Sequence, residues 1–240
     1  MARRGIQLSL RLQTAVELLG GCDRAADIGC DHGRVAAAIL QMGLCRKVIA
    51  TDISLPSLKK AERLASYLGL AERMELRQGN GFEAIGEGEC EAVLILGMGG
   101  QLIARILDGC KTPLNGARRA VLQPMRGQAE LRRYLHEKGL CIEEDRIVKE
   151  GRRYYQVLSI TADKEPQKPM AGWPVDCYEL GYISLEKRER WYKDYVCERI
   201  EQYEKQCREA LGTYGEEELK KRLNDMKTIL KLWEDRYETV

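Results

Sequence analysis

Histidine occurs only twice in these 240 residues, as His32 and His136, and the nine cysteines include no pair at CxxC spacing. A structural zinc site is poorly supplied by such a set, and no metal is expected. An odd number of scattered cysteines reads as free thiols in a reducing compartment, which points to the cytoplasm. No apolar run approaches the roughly 18 residues of a membrane span, so no membrane partner is expected. The basic opening, Met1–Gly5, leads into a segment carrying Gln7, Ser9 and Arg11 rather than a signal-peptide core. Charge of one sign is lacking too. Lys+Arg number 39 and Asp+Glu 37, a net of +2, so any RNA contact must come from a local patch. What is present is 44% hydrophobic and 32% charged residues. That supplies the core of one domain with a modest appendage.

Periodicity predicts an amphipathic helix over 6–19, with Leu8, Leu12, Ala15, Val16 and Leu19 on one face. Strands follow at 24–29, 47–51, 73–77, 92–96 and 119–123, the last closed by Pro124. Helices are expected at 33–42, 56–68, 102–107 and 128–138. Alternation of this kind demands a mostly parallel sheet with helices on both faces. Two further strands, 141–149 and 154–161, flank a hairpin signal at Glu150-Gly151-Arg152-Arg153. This α/β layout resembles that of the class I methyltransferases, a Rossmann-like doubly wound sheet ending in an antiparallel hairpin. Residues 1–162 form that domain, and the three prolines in 163–175 mark a linker. Over 176–240 one helical face is lined from Leu185 to Leu211 and a second from Leu219 to Tyr237. They are joined at Gly212–Gly215 into an antiparallel helical hairpin, a coiled coil. Residues 185–240 hold 13 basic and 14 acidic side chains, so packing explains the arm more simply than RNA contact does.

The chemistry gathers at Asp27-Ile28-Gly29-Cys30-Asp31-His32-Gly33, where the first strand turns into a helix. Such turns carry ligands in open α/β sheets. A dinucleotide site needs G-x-G-x-x-G, so that pyrophosphate meets bare amides. Asp31 takes the middle position here and would repel it. A carboxylate suits the ammonium and sulfonium of S-adenosylmethionine instead; the plainer role for Asp31 is a helix N-cap. Asp52 ends the second strand, 23 residues after Gly29, the spacing of an acidic residue on a ribose; it too has an N-cap alternative. Asn80 stands at the adenine level, or simply in a turn. Gly97-Met98-Gly99-Gly100 leaves a channel in which Met98 offers a base an apolar surface. No Asn-Pro-Pro-Tyr is present, so a ring nitrogen, carbon or oxygen is the acceptor rather than an exocyclic amine. Gln123 reaches the same rim. His32 either orients substrate or moves a proton, or is a plain polar residue of the first helical turn. Of the local basic clusters, Arg3, Arg4 and Arg11 lie nearest the turn in sequence and rank first for phosphate contact. Arg132, Arg133, Arg152 and Arg153 are the alternative.

These blocks resemble the bacterial tRNA (adenine-22-N1)-methyltransferases, the TrmK family. The likeness runs through Leu8–Leu12, Ala26–His32, Asp52-Ile53 with Pro56, Gly79–Phe82, Gly97–Gly100, Leu122-Gln123-Pro124, Leu131–Leu135 and Glu150–Tyr155. Three positions depart from it: Asn80 replaces an acidic residue, Met125 an asparagine, and Gly33-Arg34-Val35 a stretch that often holds tyrosine and proline. The resemblance implies methyl transfer from S-adenosylmethionine to N1 of a tRNA adenine, a coiled-coil appendage, and tRNA as partner; a monomer is expected. It sets Asp27, Gly29, Asp31, Asp52, Ile53, Asn80, Gly81 and Gly97 around the cofactor. Asp31, His32 and Met98 stand at the reacting atoms, and Arg3, Arg4, Arg11 and Gln123 on the substrate. A small-molecule methyltransferase and a non-catalytic cofactor-binding scaffold are the alternatives.

Overall fold

Seven strands form one sheet in the computed structural model, which describes residues 5–166, 177–212 and 215–238. They are β1 (Cys22–Ile28), β2 (Cys45–Asp52), β3 (Met74–Gln78), β4 (Ala92–Gly99), β5 (Arg119–Arg126), β6 (Cys141–Glu150) and β7 (Arg153–Thr161). Their order is β3-β2-β1-β4-β5-β7-β6. The first five run parallel, and β7 and β6 complete the sheet as an antiparallel pair. Ala92–Ile95 is buried throughout, as a strand covered on both faces must be. From β1 the chain works outward to β3 and then returns to β4 on the other flank of β1. That reversal opens a crevice beyond the carboxyl ends of β1 and β4.

One face carries α1 (Leu10–Leu19), α2 (Arg34–Gln41) and α3 (Leu55–Leu68); the other carries α4 (Gly100–Asp108) and α5 (Gln128–Glu137). In α2 every residue from Val35 to Leu40 is buried. Burying each Val, Ile or Leu in such a layer is worth about 1.5–3 kcal/mol. Between β3 and β4 there is only a 3-10 turn, Gly81–Ala84.

Two of the differences from the expected boundaries have a visible cause. The first helix starts at Leu10 rather than residue 6, because the preceding backbone is strapped to α2. Ile6 N–H donates to the Gln41 side chain at 3.0 Å, and Arg34 donates to the Gln7 carbonyl at 2.7 Å. The fifth strand continues through Pro124 to Arg126. A proline is tolerated there because it pairs with Met98 of β4 at a register irregularity and lies beyond Ala120–Leu122, the stretch that β7 pairs with.

The C-terminal region opens with two short helices, α6 (Cys177–Leu180) and α7 (Tyr182–Glu186), followed by α8 (Tyr192–Glu209) and α9 (Glu216–Tyr237). Leu185 therefore sits on α7 and not on the long helix, and Leu211 lies beyond α8, exposed. Lys193 near the start of α8 pairs with Glu234 and Glu238 at the end of α9, so the two helices are antiparallel. Val196, Ile200, Met226 and Ile229 pack between them, and the cluster runs on through Tyr192, Leu185 and Leu180 to Ile147 of β6. Arg132 was a candidate for phosphate contact, but it is fully buried. Its guanidinium binds Asp145 through two hydrogen bonds, 2.9 and 3.0 Å, and donates to the Tyr178 carbonyl at 2.8 Å. Of the expected linker, residues 167–175 lie outside the described residues, as do Arg3 and Arg4.

Candidate active site

A cavity of about 560 Å³ occupies the crevice, within the range of small-molecule and cofactor sites. It is built from the ends of five strands. β1 supplies Asp27 and Ile28 and then the Gly29–His32 turn, β2 supplies Asp52 with Ile53, and Gly79–Gly81 follow β3. Leu96–Met98 come from β4 and Gln123 from β5. Arg11 and Leu12 of α1 close the rim. Every described residue assigned to the site from sequence lines this one cavity.

The turn after β1 is held by the Thr51 carbonyl, which accepts from Gly29 N–H at 2.8 Å and Cys30 N–H at 2.9 Å. Gly29 has φ +72°, and a Cβ there would lie 2.1 Å from the Met98 methyl. Only glycine allows both the left-handed backbone and this approach. Met98 thus covers the Gly29 turn while facing the cavity.

Asp31 and Asp52 are coupled through the backbone. Asp52 Oδ2 accepts from Asp31 N–H at 2.9 Å, and Asp52 Oδ1 accepts from Ser54 N–H at 2.8 Å. Neither residue is an N-cap. Gly33 precedes α2, and Ser54 caps α3 by accepting from Ser57 N–H. The Asp31 side chain is exposed, with its Oδ1 3.3 Å from His32 Nε2, and its backbone holds φ +50°. His32 lies just before α2 with its Nε2 2.9 Å from Lys60 Nζ. The same nitrogen lies 3.3 Å from the Asp31 carboxylate, so it stands between a donor and an acceptor. Asn80 N–H donates to the Glu83 carboxylate at 3.3 Å, which holds the Gly79–Gly81 turn at the cavity wall.

Asp27 is the deep end. It is 3% exposed, and its Oδ2 has no partner among the described residues. Burial pushes its pKa up to about 7, and the nearby Asp52 charge adds to this against a backbone hydrogen bond from Ala36. Gln123 is fully buried; its Nε2 donates to the Pro124 carbonyl at 3.0 Å, while its Oε1 is unpartnered among the described residues. At the rim, the Arg11 guanidinium lies 4.7 Å over the Tyr155 ring. Acids therefore gather around the turn, and two cations, Arg11 and Arg34, line the same cavity.

Sequence reasoning missed Arg34, Val35, Leu102 and Ile106, which also line the cavity. Leu102 and Ile106 are four apart on α4, and Leu102 is 40% exposed; an apolar residue pointing away from the sheet was the available signal. Among the described residues no group of His, Cys, Asp and Glu could hold a metal, and no helix is long and apolar enough to cross a membrane.

The curated tRNA (adenine(22)-N(1))-methyltransferase of Bacillus subtilis is 35% identical over 153 residues, 64% of this chain and 64% of its own length. The chain thus matches under two thirds of that relative. Among solved structures, a Streptococcus agalactiae protein of the NADB-Rossmann superfamily superposes with TM-score 0.84 at 25% identity, covering 94% of this chain and 98% of its own. The B. subtilis tRNA methyltransferase TrmK gives TM-score 0.80 at 26% identity, over 95% and 99%. Residues 8–158 match the family described as "Methyltransferase domain". That stretch runs from the lead-in to α1 almost to the end of β7 and holds every wall of the acid-lined cavity, so the chain belongs to the methyltransferase-domain family.

Proposed function

We propose that the chain transfers a methyl group from S-adenosylmethionine to N1 of an adenine in tRNA, adenine 22 by its likeness to the Bacillus relative. The observation that carries the reading is the convergence of Asp27, Asp31 and Asp52 on one cavity at the switch point of a methyltransferase-domain sheet. Three carboxylates repel a dinucleotide's pyrophosphate and attract a cationic cofactor.

The residues fit S-adenosylmethionine. Asp52 keeps lone pairs for the ribose hydroxyls after serving two backbone N–H groups. Asp27 offers an unpartnered oxygen at the deep end. The glycine turn gives close backbone access. When bound, this cofactor supplies an electrophilic methyl on sulfur and leaves as the neutral thioether.

Adenine N1 already carries a lone pair, so no residue has to remove a proton before attack. The protein's work is to extrude the base, align N1 and stabilise the cation that forms on the ring. Asp31, exposed at the mouth, lowers the energy of that cation. Gln123 Oε1 accepts from the exocyclic amine, whose hydrogens become more acidic as N1 is alkylated. Met98 gives the base an apolar surface, and Arg11 meets a flanking phosphate. Nine cysteines without a disulfide support work in the reducing cytoplasm. In the test, bulk bacterial tRNA is incubated with methyl-labelled cofactor and digested to nucleosides. Label in N1-methyladenosine is expected; label only in small acceptors, or nowhere, refutes the reading.

A further inference from the structure

A second cleft, of about 400 Å³, lies between the strand-end loops and α8. Met125 and Tyr155 line it, and these same residues contact the rim of the first cavity. Met125 Sδ is 3.6 Å from Arg11 Nη1 and 3.5 Å from Gln123 Nε2, and Arg11 stacks on Tyr155. The partition between the two spaces is about one side chain thick, so adjacent nucleotides of one strand can lie on either side.

The lining chemistry is specific. Gln156 is 1% exposed, and neither its Nε2 nor its Oε1 has a partner among the described residues. A buried amide left so is costly unless something else completes it. An amide presents one donor beside one acceptor, the complement of a nucleobase edge. Tyr154 and Tyr195 meet edge to face at 5.9 Å in the same wall and supply ring surface for a base. Glu179 is paired with Arg199 and bonded by Tyr203, while Glu198, bonded by the neutral Gln202 amide, keeps its charge. Arg126 and Arg153 are exposed and have no ion-pair partner among the described residues. Two guanidinium groups against one carboxylate leave the cleft net positive at its mouth, where a phosphate would lie.

We propose that this cleft is a nucleotide subsite that holds the neighbour of the methylated adenine. Gln156 bonds the base edge, and Arg126 and Arg153 bond its phosphate. The assignment to the same RNA strand rests on the tRNA reading above; the nucleotide chemistry of the cleft does not.

The test uses the full chain saturated with S-adenosylhomocysteine, titrated with adenosine 5′-monophosphate and followed by NMR. Saturable binding is expected in the wild type, weakened about fivefold or more in Gln156→Leu, the scale of one lost hydrogen-bonding partner. Arg153→Ala should weaken the monophosphate but not free adenosine. Gln156→Leu exchanges an unpartnered amide for hydrocarbon, so its Tm should hold or rise, which separates lost binding from unfolding. With tRNA, the same variant should raise KM and spare kcat. Monophosphate binding that is absent, or equal in wild type and Gln156→Leu, overturns the subsite whatever the methylation assay gives. Gln156-dependent binding without methyl transfer to tRNA leaves the subsite standing and refutes the function instead.

Discussion

Asp52 holds the backbone N–H of Asp31 at 2.9 Å, so the carboxylate at the end of β2 sets the position of the one at the mouth of the β1 turn. Removing the first therefore loosens the second. Asp52→Ala should lose charge-assisted bonds worth about 1.5–3 kcal/mol to the cofactor ribose. Asp52→Asn should recover only part of this, since an amide cannot accept through both of its side-chain ends. Titration calorimetry with S-adenosylhomocysteine reads the difference; an unchanged Kd in Asp52→Ala would be incompatible with the ribose role.

Asp27 gives the site a pH dependence with a defined sign. In the unfolded chain an aspartate loses its proton near pH ~3.9, whereas burial holds this one up to about 7. The folded state keeps the extra proton between those values. The contribution of Asp27 to stability is therefore fully present at low pH and is lost as pH rises toward 7. Cofactor binding runs the other way, because the ionised form attracts the cation. S-adenosylmethionine affinity should rise between about pH 6 and 8 in the wild type and stay flat in Asp27→Asn, measured by calorimetry in buffers of matched ionic strength.

The Arg132–Asp145 pair joins α5 to β6 and, through the Tyr178 carbonyl, to the root of the arm. Asp145→Ala leaves a buried guanidinium without its counter-charge and should cost about 3–5 kcal/mol. Replacing both partners by apolar residues of similar volume should cost much less. Urea denaturation of the single and double variants measures this, and equal losses in the two would mean that the pair's charge is not what matters.

Deleting residues 192–238 uncovers Ile147, Leu180 and Leu185, which now pack against Tyr192 and Val196. Tm should fall, while the cavity, built wholly before residue 124, keeps its cofactor affinity. Methylation of tRNA should be lost with the α8 wall of the second cleft. Full tRNA turnover by the shortened chain would reduce the arm to a stabilising element.

The sheet and the acid-lined cavity were legible in the sequence because their signals are local. Gly29 and Asp52 report themselves through strand ends and spacing, and the glycines after β4 through an abrupt change from an apolar run. What escaped depended on neighbours distant in sequence. Arg132 looks like any basic residue on a helix until Asp145 is seen facing it across α5 and β6. Leu8 fits the helical period of α1, yet its segment is held extended by bonds to α2. Gln156 sits in a strand where alternation assigns it only a face; that its amide lacks a partner is a property of the assembled interior.

The root of the arm has a mechanical consequence. Tyr237, in the last turn of α9, donates to the carbonyls of Leu185 and Glu186 at 3.1 and 3.0 Å, so both ends of the hairpin are pinned at one place. Arg199 and Tyr203 tie α8 to Glu179 of α6 as well, so only its last six residues, about 9 Å, extend beyond these contacts. A load at the tip is therefore shared between two attachments, one at Glu179 and one at the Tyr237 clamp. The clamp bears on Ile147 of β6, so a load on the tip is transmitted into the sheet beside the cleft that Gln156 lines.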